Sequence, residues 1–199
     1  MFLNRSVYGF LRRLFHKKRA RLVIDNKVRF NGCYPHANQE VLITGEGHVS
    51  FDKGVILGYR TSPDFYSTYT YIEARYPESR ISIGTDSFFN NGVSIISGSR
   101  EEGGIEIGSR VMLGLGVQIF DSDFHGILAK DRNNPSAIKT RPVRIGDDCW
   151  LGNSAIVLKG VTLGARCVVG AGSVVTESFP ADSVIGGNPA RLIKTLRQG

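Results

Sequence analysis

Several residue types are scarce in this chain, and each shortage excludes something. Three cysteines (Cys33, Cys149, Cys167) among 199 residues cannot close a disulfide set, and no pair has CxxC spacing. That usage fits a reducing, cytoplasmic compartment and excludes a disulfide scaffold or zinc knuckle. No apolar run approaches the length of a membrane span, and the N-terminus lacks the uninterrupted apolar stretch of a signal peptide. Only seven prolines stand beside 24 glycines, with an ordinary 41% hydrophobic content, which indicates frequent tight turns rather than disorder. Histidine is limited to positions 16, 36, 48 and 125, and Trp150 is the single tryptophan.

The net charge of +7 is not spread along the chain. Residues 1–30 hold nine of the 25 Lys and Arg residues against Asp25 alone, leaving 16 basic and 17 acidic residues elsewhere. A basic arm on a neutral body argues against a nucleic-acid-binding face and for local docking at an anionic surface. Within 1–21, Leu3, Val7, Phe10, Leu11 and Leu14 have helical spacing, with most basic residues off that stripe. Two uses fit this amphipathic arm. It could rest on anionic lipid at the inner face of the cell membrane, each basic residue contributing about 1 kcal/mol. Alternatively, its apolar stripe caps an open end of the body.

What the chain has in abundance is a repeat of six. From residue 143 it divides into VRIGDD, CWLGNS, AIVLKG, VTLGAR, CVVGAG and SVVTES. The third place is aliphatic throughout: Ile145, Leu151, Val157, Leu163, Val169 and Val175. The first place is small or β-branched, and four of the six third places are followed by Gly. The same period runs through Ile83, Phe89 and Ile95, then Ile107, Leu113 and Ile119, interrupted by Glu101 in GSREEGG. A weaker series, Ile43, Val49 and Val55, places the first coils earlier. A period of six suits neither a helix nor an antiparallel sandwich. It fits a solenoid of short strands with one inward aliphatic per segment and glycine freedom at the corners.

These blocks, with the ending IGGNPARLIK, resemble the hexapeptide-repeat acyltransferases. The nearest branch is the sugar and surface-polysaccharide O-acetyltransferases, such as the maltose, galactoside and nodulation-factor enzymes. The resemblance implies an all-β solenoid, a left-handed parallel β-helix over 22–188. The hand comes from the family alone, since the usual crossover rule gives the opposite one. Around it the expected parts are the basic helix of 1–21, an aromatic insertion over 60–80, a protruding active-site loop over 126–142 and a short C-terminal helix over 189–199. The implied activity is acetyl transfer from acetyl-CoA to a sugar hydroxyl, with no metal, in a homotrimer.

Six residues after Ile119 comes His125, at a place where the period calls for an aliphatic, and beyond it the frame slips. The polar run GILAKDRNNPSAIKTRP must therefore leave the coil there. On spacing alone His125 fits an active-site wall or a corner histidine hydrogen-bonded to the loop backbone; with the resemblance it is the expected general base. An acetyl thioester is already activated, so the enzyme must deprotonate the attacking hydroxyl, and neutral imidazole suits that task. Asp121 and Asp123 share its side of an extended segment. Asp123 could orient the ring, and either carboxylate could hold acceptor hydroxyls. Covalent catalysis is disfavoured, since Ser122 lacks a GxSxG context and Cys149 falls at a core place.

The resemblance also aligns Asn90 with an acceptor-contacting asparagine, although a turn role is open to it. It places Trp150, Asn153, Ala171 and Thr176 along the arm of acetyl-CoA, with Arg191 and Lys194 near its phosphates. Glu177 departs from the pattern, because relatives often carry a basic residue there. Five tyrosines between 59 and 76 suit sugar stacking or strand and subunit contact equally. Three other functions compete: transfer to the amine of a nucleotide-linked amino sugar, a non-catalytic β-helix scaffold, and a γ-type carbonic anhydrase. The last needs three histidines on zinc, and only His125 lies in the strongly periodic region.

Overall fold

The computed structural model describes residues 22–101 and 103–197. The basic arm of 1–21 lies outside them, so its expected helix is not part of the described fold. Each six-residue block forms one short strand: Val143–Ile145, Trp150–Leu151, Ile156–Val157, Thr162–Leu163, Val168–Val169 and Val174–Val175. Ile145 pairs with Leu163, Leu151 with Val169 and Val157 with Val175, each partner eighteen residues on. Three blocks therefore make one coil, and the coil has three faces. Among the described residues the first face carries seven strands, the second six and the third eight, each list advancing coil by coil. All pairings are parallel except the last on the third face.

The aliphatic third places fill the interior, with exposures of 0–2% from Ile145 to Val175. The small first places Cys149, Ala155, Val161 and Cys167 are fully buried beside them. Burying one such aliphatic side chain is worth about 1.5–3 kcal/mol, so each coil contributes by adding three rungs to the column.

The corners correct one expectation. The fourth-place glycines Gly146, Gly152 and Gly164 are not the residues in left-handed geometry. They are glycine because a Cβ would stand 2.6, 2.7 and 2.3 Å from the backbone nitrogens of Ala165, Ala171 and Ala181 on the next coil. The left-handed turn falls at the sixth place, at Asp148, Ser154, Gly160, Arg166 and Gly172, with φ between 57° and 80°.

Three further expectations are revised. The aromatic insertion covers 58–69 rather than 60–80, because Thr70–Ala74 is a first-face strand paired with Val41–Gly45 and Ser94–Ser97. Thr70, Ile72 and Ala74 are buried while Tyr71 and Glu73 face out, an alternation of two that a search for sixes overlooks. The early series mixes two phases. Ile43 shares a register column with Ile95, whereas Val49 and Val55 take first places, and Phe51 and Leu57 hold the third places of their segments. The C-terminal helix expected over 189–199 is instead a strand, Ala190–Thr195, which turns back antiparallel on Ser183–Gly187. It covers the backbone edge that the last coil would leave unpaired. No helix among the described residues is long and apolar enough to cross a membrane.

Candidate active site

The histidine loop leaves the coil at the end of the first-face strand Gln118–Phe120. A bridge between Ser122 and Thr140 closes its base, with Asp123 N donating to Lys139 O at 3.1 Å and Arg141 N to Asp121 O at 2.9 Å. The exit precedes residue 125, so His125 does not replace an interior aliphatic. It stands exposed outside the column. Phe124 adopts left-handed geometry (φ 60°) just before it. The Phe124 ring meets Phe120 edge-on at 5.9 Å, the Arg75 guanidinium lies 4.6 Å from its centre, and the Ser122 hydroxyl accepts from its N–H at 3.0 Å. On the other side Gly126 is buried, and a Cβ there would stand 2.1 Å from Asp131 O. The histidine backbone is thus clamped on both sides.

Nδ1 of His125 lies 3.1 Å from the carbonyl oxygen of Arg132 within the same loop. A carbonyl only accepts, so Nδ1 carries the ring hydrogen and the neutral ring presents the Nε2 lone pair. Arg132 is held in turn by donating to Ile127 O at 3.2 Å.

Neither aspartate serves as expected. Asp123 does not orient the ring. Its carboxylate is ion-paired with Lys159 of the following coil, and its other oxygen is buried with no hydrogen-bond partner among the described residues. Asp121 is not open to an acceptor. It points inward at 0% exposure and accepts from Ser97 Oγ at 2.6 Å and Gly98 N at 2.7 Å. Burial pushes its carboxyl above the usual range, opposed by those two hydrogen bonds.

Asn90 Oδ1 accepts from the Asn91 N–H at 2.8 Å. Asn91, which sequence reasoning passed over, is fully buried and anchors the excursion. It accepts from Tyr59 N at 2.9 Å and donates to Tyr59 O and Pro63 O at 3.0 and 2.8 Å. Gln39 holds the far end, donating to Thr68 O at 2.9 Å. An asparagine beside another asparagine gives no sequence signal for which one turns inward. Cys149 is no nucleophile: it is fully buried, donates to Gly164 O at 3.1 Å, and its thiol is pushed well up by Cys167 and by burial.

Of the residues aligned with a cofactor arm, Trp150 is 54% exposed on the third face, stacked in register between Met112 and Val168. Asn153 and Ala171 occupy the corner that follows, where Gly172 N donates to Asn153 O at 2.8 Å. The Asn153 side chain is partly committed, accepting from Leu115 N at 3.0 Å. Arg191 is engaged by Glu177 at 2.9 Å, and Lys194 is exposed on the terminal strand. Thr176 follows the first face, at the same type of corner from which the His125 loop departs. Within one chain, then, Trp150, Asn153 and Ala171 gather at one corner and His125 stands at another. Among the described residues no three His, Cys, Asp or Glu side chains group as metal ligands.

Residues 142–177 match the family described as the hexapeptide repeat of succinyl-transferase. Over those residues the chain carries the family's hexapeptide repeat. The fold is a parallel β-helix, shared with solved hexapeptide-repeat acetyltransferases. A maltose O-acetyltransferase of Clostridium difficile is 26% identical, with a TM-score of 0.52 over 98% of this chain and 87% of that one. A Vibrio cholerae hexapeptide-repeat acetyltransferase, solved with acetyl coenzyme A, is 24% identical with a TM-score of 0.52, over 100% of this chain and 81% of that one. A Saccharomyces cerevisiae protein that carries a provisional acetyltransferase name is 30% identical over 136 residues, 68% of this chain. The aligned segment covers 62% of that relative, and 44% of a similarly named Schizosaccharomyces pombe protein.

Proposed function

We propose that this hexapeptide-repeat protein transfers an acetyl group from acetyl-CoA to a sugar hydroxyl, with His125 as general base. The observation that carries this reading is the Nδ1–Arg132 hydrogen bond, which fixes the tautomer and leaves Nε2 as an acceptor on an exposed ring. The likeness to a maltose O-acetyltransferase supports the sugar acceptor. In the step, Nε2 takes the hydroxyl proton as the oxygen attacks the thioester carbonyl. A C–O bond forms, the C–S bond breaks, and the leaving thiolate takes the proton back from the imidazolium. The backbone carbonyl of Arg132 stabilises the imidazolium that results. Direct transfer of this kind needs no acyl-enzyme, in keeping with the buried Cys149.

The exposed indole of Trp150 and the open corner at Ala171–Gly172, where a Cβ on Gly172 would meet nothing within 4 Å, suit an extended co-substrate. Arg191 reaches a phosphate only by exchanging its Glu177 partner. The separation of the Trp150 corner from the His125 corner motivates the homotrimer: neighbouring copies would bring the two together.

The deciding experiment is His125→Ala. The exposed side chain contributes little to packing, so assembly and acetyl-CoA affinity should persist while turnover falls about 10²–10⁴-fold. No acetyl group should remain on the protein after mixing with acetyl-CoA alone. A variant keeping more than about a tenth of wild-type turnover removes His125 from the chemistry.

A further inference from the structure

The second face carries a feature that acetyl transfer does not use. On its first three strands Arg29, His48 and Arg80 stand in one register column. The two arginines are two strand spacings apart, about 10 Å, with the imidazole between them. Arg29 Nη1 lies 3.2 Å from His48 Nε2; the guanidinium only donates, so His48 accepts there as a neutral ring. Beside this column the outward side chains are Asn31, Ser50 and Ser82. Asn31, His48, Ser50, Arg80 and Ser82, with Glu106 of the next strand, line a cleft of about 200 Å³, several times the roughly 30 Å³ of a water molecule in the liquid. Arg29 stands beside it against His48.

Lys27, Arg75, Arg110, Arg144 and Arg166 each meet a carboxylate within 3.2 Å. Among the described residues neither Arg29 nor Arg80 has such a partner. Glu106, on the next strand of this face, is taken by Arg144 at 3.0 Å, and Glu46 at the adjoining corner by Lys27 at 3.2 Å. The Arg29 guanidinium thus meets an imidazole that shares a concave site with Arg80, its register neighbour, and hydroxyl and amide groups stand alongside.

We propose that this cleft binds an oxyanion, a phosphate or carboxylate carried on a polyhydroxylated molecule, between Arg29 and Arg80 over His48. Planar guanidinium forks match such an anion, and Ser50, Ser82 and Asn31 hydrogen-bond the hydroxyls attached to it. Partial burial, then Arg80, then Arg29 hold the empty site's imidazole below its usual range. A bound anion reverses that balance, so His48 takes up a proton on binding and affinity rises as pH falls through its titration. The site stands independently of the acetyl-transfer reading.

The test follows the His48 ring resonances of the full chain during titration with methyl phosphate, glucuronate and, as a neutral control, glucose. Saturable shifts with phosphate, glucuronate or both support the site, and their relative affinity identifies the source. Inorganic sulfate, whose charge is constant over the range, serves for the pH dependence and should bind more tightly at lower pH. Arg80→Gln, at an exposed position, should weaken binding about tenfold or more while leaving acetyl turnover on a neutral acceptor unchanged. Absence of saturation with every anion, or an unchanged affinity in Arg80→Gln, overturns the proposal.

Discussion

Asp123 and Lys159 tie the base of the His125 loop to the next coil, and breaking that tie should be felt in both stability and turnover. The two side chains keep only 21% and 24% of their exposure, and the second oxygen of Asp123 is buried with no hydrogen-bond partner among the described residues. An exposed pair is worth at most about 1 kcal/mol, whereas removing one partner of a buried pair costs about 3–5. With roughly four fifths of each group out of water, Lys159→Met should cost about 2–3 kcal/mol, because a carboxylate remains with no counter-charge. Pairing it with Asp123→Leu removes that carboxylate and should recover about 1–2 kcal/mol, a coupling readable in urea unfolding of the two single variants and the double. The tie sits two residues from His125, so kcat of the Lys159→Met variant should drop about tenfold from misplacement of the ring, and Lys159→Arg should restore most of it. Additive unfolding energies within about 0.3 kcal/mol, together with an unchanged kcat, would show that the pair neither stabilises nor positions the loop.

The corner glycines should respond according to their two different reasons for being glycine. Gly152→Ala places a Cβ 2.7 Å from Ala171 N and 3.0 Å from Val169 O, both backbone, and should cost about 1–3 kcal/mol in thermal unfolding. Gly172→Ala meets nothing but holds φ at 70°, and should cost only about 1 kcal/mol. Asp121 should leave a signature in pH-dependent stability: its folded carboxyl sits above the unfolded value, so its contribution is fully present below the unfolded range and is lost as pH rises through the folded one. Comparing acid-limb unfolding of the wild type with Asp121→Asn checks the sign, and a limb that steepens the opposite way refutes it. Deleting residues 1–21 should spare acetylation of small soluble sugars but weaken action on lipid-linked acceptors, whereas loss of assembly on truncation would assign the arm to capping.

The solenoid was legible because its physics is written into one side chain in six. A coil of three short segments needs one inward aliphatic per face, and Ile145 to Val175 supply it without exception, each reaching the interior. Legibility faded wherever a corner lengthened. Two extra residues around Gly45–Gly47 moved the third place from 49 to 51, so Val49 and Val55 were read in the wrong phase although both are buried. Thr70–Ala74 hid because its small and polar inward residues carry no aliphatic signature. The terminal strand hid for another reason: Ala190–Thr195 owes its form to an open sheet edge elsewhere in the fold, and its own exposed Leu192 and Ile193 fit helix or strand alike.

The candidate site was legible where the repeat failed, and only there. The loss of phase after Ile119 located the loop and its histidine, since a side chain that no longer serves the column is free to serve chemistry. What the period could not give is which neighbour each polar group meets, because that depends on coils stacked eighteen or more residues away. Asp121 and Asp123 share a face in an extended strand, yet the first turns into the coil to meet Ser97 and Gly98, and the second meets Lys159, 36 residues on. Arg132, which orients the catalytic ring in the proposed reaction, acts through its carbonyl and so leaves no trace in residue identity. The same logic separates the two glycine roles at each corner: close approach is imposed by the next coil, left-handed geometry by the turn itself, and one letter stands for both. In a repeat fold, then, identity at the periodic places reports the core. The chemistry of the corners belongs to contacts between coils and becomes readable only once the register is known.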